Sequence, residues 1–322
     1  MTDDNQSGVT RRNFVKLTFA GGALVLARGP GAIFGATETP LAANPTFKIG
    51  GDLTVNRLGF GAMRLTGEGI WGWPPDRANA IKLLKHGVEL GVNLIDTADA
   101  YGPDTDELLI AEALHPYPKD LIIATKGGNT RPGPGEWVPN GHPDYLKWCV
   151  DGSLKRLKLE RIDLYQLHRI DPKVPAEESV GALKEMQDAG KIRHIGLSEV
   201  SPEQIERARK VAPIVSVQNR YNVEDRKWEN TLKYCETNNL GFLPWFPVGG
   251  GKGLSSGNAL ETVAKAHNTT VYQVALAWLL ERSPVMLPIP GTANLAHLEE
   301  NVAAAKLQLT PDEWKKIDSL AG

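Results

Sequence analysis

The sequence predicts an α/β protein folded as a (β/α)8 barrel of the TIM type, with an N-terminal β-hairpin as a cap. Three observations lead there. From Leu58 onward, short apolar runs alternate with longer stretches of period near 3.6, the pattern of parallel strands joined by crossover helices. The strand-like runs number eight, each with a helical stretch behind it, and eight such units close a barrel. An open doubly wound sheet would instead carry G-x-G-x-x-G after its first strand. Here Gly59-Phe60-Gly61 runs into Ala62, Met63 and Arg64, so the third glycine is missing.

Taken in order, residues 47–55 read as the hairpin, turning at Gly50-Gly51-Asp52 and placed to plug the barrel floor. Strands are expected at 58–63, 93–97, 121–126, 162–168, 194–198, 214–219, 241–246 and 285–289. The first helix opens on Asp76 as N-cap, carries Ala80, Ile81, Leu84, Val88 and Leu90 as its stripe, and closes at Gly91. Further helices are expected at 105–114, 143–157, 176–189, 202–211, 226–239, 270–282, 295–305 and 311–320. Residues 127–142 and 247–257 are rich in Gly and Pro and each follows a strand. They read as irregular loops on the face where barrel active sites form.

Composition narrows the function. The chain has 322 residues, with 36 Lys and Arg against 38 Asp and Glu, a net charge of −2. No charge excess draws it to nucleic acid or anionic lipid. Hydrophobic residues make up 41% and charged residues 23%, which suits a folded globular protein. Two cysteines, Cys149 and Cys235, exclude a disulfide framework. They read as buried small hydrophobes, and a monomer is the default.

The N-terminus carries Thr10-Arg11-Arg12-Asn13-Phe14-Val15-Lys16 before an apolar run from Leu17 to Leu26. A twin arginine ahead of a short apolar segment reads as an export address, with the twin-arginine translocation machinery as partner. The run is too short to span a bilayer, which takes about 20 apolar residues. Residues 1–44 are therefore expected to be leader and linker, and 45–322 the barrel domain of an exported protein. The alternative is a basic arm on a cytoplasmic one.

The chemistry lies at the strand ends. Asp96 ends the second strand, Lys126 the third and His168 the fourth, while Tyr101 follows five residues after Asp96. In a barrel these would converge. A tyrosine hydroxyl, with a reference pKa of about 10, is a poor proton donor near neutrality. A buried lysine would tune it and a carboxylate would keep that lysine charged. His168 would orient a carbonyl and stabilise the alkoxide formed as hydride arrives. The set suits carbonyl reduction.

These residues sit in stretches that resemble the aldo-keto reductase family from about Leu58 to Leu320. They are Asp96-Thr97-Ala98 with Tyr101-Gly102, Ala124-Thr125-Lys126, Asp163-Leu164-Tyr165-Gln166-Leu167-His168, Gly190-Lys191-Ile192-Arg193-His194-Ile195-Gly196-Leu197-Ser198, Val217-Gln218-Asn219, and Pro288-Ile289-Pro290-Gly291-Thr292 with Glu299-Glu300-Asn301. The resemblance implies an NAD(P)H-dependent oxidoreductase that reduces an aldehyde or ketone to the alcohol, with the cofactor stretched across the barrel mouth. Ser198 and Gln218 would hold the carboxamide, and Trp245 would take the place of the ring-stacking aromatic. Phe246, Pro247, Val248, Gly249 and Lys252 would form the loop over the pyrophosphate, with Gly61, Ala62 and Met63 at the first strand end. Gly291, Thr292, Asn294, His297, Glu300 and Asn301 would take the adenosine end.

Two departures stand out. The family's NADP-binding branches commonly place Lys or Arg where this chain reads Gly291-Thr292-Ala293-Asn294-Leu295-Ala296-His297. NADP(H) is still expected, through hydrogen bonds and the helix dipole, with NAD(H) as the second choice. Glu199 stands where many relatives carry asparagine, and no role for it follows from the sequence. The substrate pocket is expected from Trp71, Trp73, Arg131, Trp137 and His142. Competing readings are a redox sensor or regulatory subunit that binds NADP(H) with little turnover, and a metal hydrolase using His168, His142, Asp96 and Asp99. The second lacks H-x-H and H-E-x-x-H spacing, so no metal is expected.

Overall fold

The computed structural model describes residues 45–249 and 257–320. The expected leader and Lys252 lie outside those residues.

A hairpin comes first. Strands β1 (Thr46–Ile49) and β2 (Leu53–Asn56) pair antiparallel. They turn through Gly50 and Gly51, both at positive φ. Gly50 is needed twice over, because its φ is 63° and a Cβ there would lie 2.4 Å from the His194 ring.

Parallel strands follow as β3 (Phe60–Gly61), β4 (Leu94–Asp96) and β5 (Ile122–Gly127), then β8 (Ile162–Leu167), β9 (Ile192–Ser198), β10 (Ile214–Gln218) and β11 (Gly241–Phe242). Between β5 and β8 the expected irregular loop holds a small antiparallel pair, β6 (Asn129–Thr130) and β7 (Val138–Pro139). The seven parallel strands neighbour one another in sequence order, as short right-handed crossovers dictate. The helices are α1 (Arg77–Glu89), α2 (Thr105–Leu114), α3 (Pro143–Leu157), α4 (Ala176–Asp188), α5 (Pro202–Arg209), α6 (Glu229–Asn238), α7 (Gly257–Ala266), α8 (Val271–Arg282), α9 (Leu295–Ala303) and α10 (Pro311–Asp318). Helix α7 was not expected, though Leu260, Val263 and Ala264 form a buried stripe. The Gly-rich run before it masks the period.

The eighth expected strand is corrected to an irregular closing segment. Residues 285–289 make one isolated bridge, Met286 beside Phe242. The segment still joins both edges of the sheet. Phe242 N–H donates to Val285 O and Leu287 N–H to Phe242 O on one side, while Gly59 and Gly61 N–H donate to Pro288 O and Pro290 O on the other. The two prolines have no N–H to return, so no regular ladder forms. Strands β3 and β11 fall furthest short of the expected ranges. Residues 62–65 wind into a 3-10 turn, and Pro244 has no N–H to offer the closing segment, although Trp245 N–H still bonds Asn219 O on the β10 side.

Strand side chains alternate between faces. Leu94, Ile122, Ala124 and Leu164 face the barrel interior, where Ile49, Leu53 and Val55 of the hairpin meet Leu243, Leu287 and Ile289. The hairpin thus plugs the end at which strands begin. The same parity sends Asp96, Lys126 and Gln166 into the interior at the opposite end. Cys149 on α3 and Cys235 on α6 are buried free thiols. Among the described residues no helix is long and apolar enough to cross a membrane.

Candidate active site

Lys126 is the centre of the site and is wholly buried. Its Nζ donates to Asp96 Oδ2 at 2.7 Å, to Thr97 O at 2.8 Å and to the Tyr101 hydroxyl at 3.2 Å. Tyr101 reaches it because the chain beyond β4 keeps running along β5, with Thr97 N–H on Ala124 O and Asp99 N–H on Lys126 O. The second oxygen of Asp96 accepts from Gln218 Nε2 at 2.7 Å and Gln166 Nε2 at 3.2 Å. Four strands therefore meet on one carboxylate. His168 N–H is fixed on Gly127 O, and its ring stands edge-on to Tyr101 at 5.9 Å. Trp137 completes the wall, 6.1 Å from Tyr101 and 5.9 Å from His168.

Charge states follow from these surroundings. Burial works against the Lys126 charge, but Asp96 and Tyr101 outweigh it and raise its pKa above the usual lysine value. Lys126 stays an ammonium. Burial also raises Tyr101, by more than the Lys126 charge pulls it down. The expected lowering of Tyr101 is thus corrected to a partial offset, and the phenol stays protonated, as a proton donor must. His168 is held well below the imidazole range, by burial first and then by the charges of Lys126, Arg169 and Arg131. It is a neutral ring whose Nδ1 finds no partner among the described residues.

A cavity of about 930 Å³ opens on this cluster. Asp96, Tyr101, Trp137 and His168 line its inner end, with Ser198 and Gln218 at the ends of β9 and β10. Trp245, Phe246, Pro247 and Val248 also line it, as do Gly61, which pairs with Asp96, and Met63, Gly291, Thr292, His297, Glu300 and Asn301. The volume and the polar groups along the lining fit an extended dinucleotide.

Other expected residues lie elsewhere. Ala62 is buried and off the cavity, and Gly249 is not part of its lining. Asn294 caps α9, its side chain accepting from the N–H groups of Ala296 and His297, so those two donors are already engaged. Of the expected pocket residues only Trp137 lines the cavity. Trp71 and Trp73 are partly exposed, and Arg77 stacks on Trp73 at 3.9 Å. Arg131 is a clamp, donating to the carbonyls of Gly69, Ile70, Ala100 and Glu136. His142 also lies off the lining.

Sequence reasoning missed Gln166, Arg64 and Arg169. Strand parity alone would have found Gln166. Arg64 lines the cavity beside Gly291, supplying a cation that the 291–297 segment lacks. Arg169 Nη1 donates to His168 O at 2.6 Å and Ser198 Oγ at 2.8 Å; its place one residue past a strand end was the available signal. Asp96, needed by the metal-hydrolase reading, is spent on Lys126 and the two glutamines. Among the described residues no cluster of His, Cys, Asp or Glu could hold a metal ion.

Comparison with known proteins gives the same picture. The model of the Aldo/keto reductase family matches residues 57–321. An uncharacterized oxidoreductase of Schizosaccharomyces pombe is 51% identical over 273 residues, 85% of this chain and 89% of that protein. Pyridoxine 4-dehydrogenase of Escherichia coli is 44% identical over 282 residues, 86% of this chain and 98% of its own length. The structure of a thermostable aldo-keto reductase in complex with the inhibitor epalrestat superposes with a TM-score of 0.78 at 32% identity, covering 86% of this chain and 99% of that one. With the match running through every strand of the barrel, the chain belongs to the aldo/keto reductase family.

Proposed function

We propose that the protein is an NADP(H)-dependent reductase that converts an aldehyde or ketone to its alcohol. The observation that carries this is the buried ammonium of Lys126, bonded at once to Asp96 and to the hydroxyl of Tyr101 at the base of a dinucleotide-sized cavity. A bound nicotinamide supplies the hydride. Tyr101 holds the proton that the developing alkoxide takes, and Lys126 stabilises the phenolate left behind. Neutral His168 turns a ring nitrogen toward the carbonyl, and Trp137 walls it from water. NADP(H) is preferred to NAD(H) because Arg64 lines the cavity beside Gly291, offering the cation that a 2′-phosphate needs. The relation to pyridoxine 4-dehydrogenase makes aromatic aldehydes such as pyridoxal the first to test.

The test is Tyr101→Phe. NADPH binding, read by calorimetry, should stay within about threefold of the parent, while aldehyde reduction falls by roughly 10²–10⁴-fold, the usual contribution of a positioned acid. Turnover kept near the parental rate would refute the assignment. Parent protein that binds NADPH tightly but reduces no aldehyde in a broad panel would favour the sensor reading instead.

We also propose that Arg11 and Arg12 direct export. Replacing both by lysine should move the protein from the extracytoplasmic to the cytoplasmic fraction. An unchanged distribution would reject the leader.

A further inference from the structure

Glu199 follows Ser198 directly, and its backbone is left-handed at φ 55°. That conformation costs any residue with a Cβ and persists only where the surroundings impose it. Here they do. Glu199 N–H donates to Gln218 O at 3.1 Å, and the side chain of Asn219 clasps the next residue, accepting from Val200 N–H at 3.1 Å and donating to Val200 O at 2.9 Å. The strained turn aims the carboxylate at two indoles. Oε1 accepts from Trp245 Nε1 at 2.8 Å and from the Arg220 N–H at 2.6 Å, and Oε2 accepts from Trp228 Nε1 at 3.3 Å.

Trp245 lines the cavity next to Phe246, its ring 4.7 Å from that neighbour. Its main chain is tied to the end of β10, with Trp245 N–H on Asn219 O and Tyr221 N–H on Trp245 O. The main chain does not fix the ring. An indole has one N–H, and here that group donates to Glu199. Arg169 and Arg220 approach the ring at 5.9 and 5.8 Å, and the ring packs on Phe246 and the barrel-interior apolar cluster, but Glu199 is the group that engages its N–H.

We infer that Glu199 is the positioning residue of the cofactor site: it locks the Trp245 indole so that a preformed face meets the nicotinamide ring, with Trp228 as the second anchor. The inference rests on the reading that Trp245 carries the nicotinamide. A face fixed in advance loses no rotamer freedom on binding, and a hydrogen bond to a carboxylate is stronger than one to a neutral amide.

The experiment uses the full chain, calorimetric titration with NADPH and steady-state kinetics. Glu199→Asn suits the left-handed backbone but is too short to reach Trp245. It should bind NADPH about tenfold more weakly, the size of one charge-assisted hydrogen bond. KM for NADPH should rise with it while kcat at saturating NADPH changes by less than about threefold. Loss of the bonds from Arg220 N–H and Trp228 Nε1 should lower its thermal midpoint, offset in part by the better left-handed fit of Asn, so the split between KM and kcat, and not stability, separates positioning from a structural role. Glu199→Gln keeps the reach and should recover most of the affinity. Trp245→Phe keeps a stacking face without an N–H, so adding Glu199→Asn to it should cost no more than about twofold further. Parental affinity in Glu199→Asn, or the same tenfold loss in the Trp245→Phe background, would overturn the inference. Unchanged affinity in Trp245→Ala would instead remove the stacking reading on which it stands.

Discussion

In the proposed reaction Lys126 is the residue on which the chemistry turns, and its replacement gives a signed pH prediction. Tyr101 must be protonated to act, so reduction should hold through neutral pH and fall as pH rises through the Tyr101 pKa. Lys126 is the largest influence pulling that pKa down. Lys126→Met should therefore slow reduction by about 10²-fold or more and move the alkaline fall to higher pH. An unmoved pH–rate profile would remove Lys126 from the tuning role. The convergence of Asp96, Tyr101, Lys126 and His168 was legible because each is a polar residue at or shortly past a strand end, where apolar ones are the rule. The role of Glu199 was not. It depends on a φ value that sequence does not display and on indoles 29 and 46 residues away.

At the scale of elements, the closing segment shows how a barrel can end without a regular strand. Residues 285–289 were readable as an apolar run, but the loss of ladder follows from Pro288 and Pro290, whose missing donors were in plain sight. The closure depends on close backbone approach. A Cβ on Gly291 would lie 2.4 Å from Gly61 O, so this position needs glycine for space. Gly291→Ala should destabilise the protein by roughly 1–3 kcal/mol in urea unfolding and weaken cofactor binding, because Gly61 and Gly291 both line the cavity. Parental stability would show that the two edges can part without cost. Helix α7 and the β6–β7 pair stayed hidden because Gly and Pro in the surrounding loops broke both periodicities.

Over the whole molecule, stability should carry the mark of a buried acid outside the tetrad. Asp99 is pushed up to about 7, by burial first and then by Glu107. Its Oδ1 has no hydrogen-bond partner among the described residues. With the folded pKa above the unfolded value of 3.8, the folded state keeps a proton that the unfolded chain releases. This contribution is present at low pH and is lost as pH rises from about 4 through about 7. Asp99→Asn should therefore be more stable than the parent by about 1–3 kcal/mol near pH 8, the gap closing toward about pH 4. His168, depressed in the fold, costs stability as pH falls below about 6.5, and it does so equally in both proteins. A gap that stays constant with pH would show that Asp99 is not the cause.

On the proposed function, the burial of Lys126 also bears on how the protein would coexist with an aldehyde substrate. Aldehydes condense with neutral amines to imines, and a lysine beside an aldehyde pocket is an obvious target. This one is charged, with Nζ engaged by Asp96, Thr97 and Tyr101, and it presents no surface. It has no lone pair to attack with and is not part of the cavity lining. Borohydride added during turnover should leave Lys126 unalkylated while surface lysines take the label. The fold thus lends the reaction a cation without offering it a nucleophile.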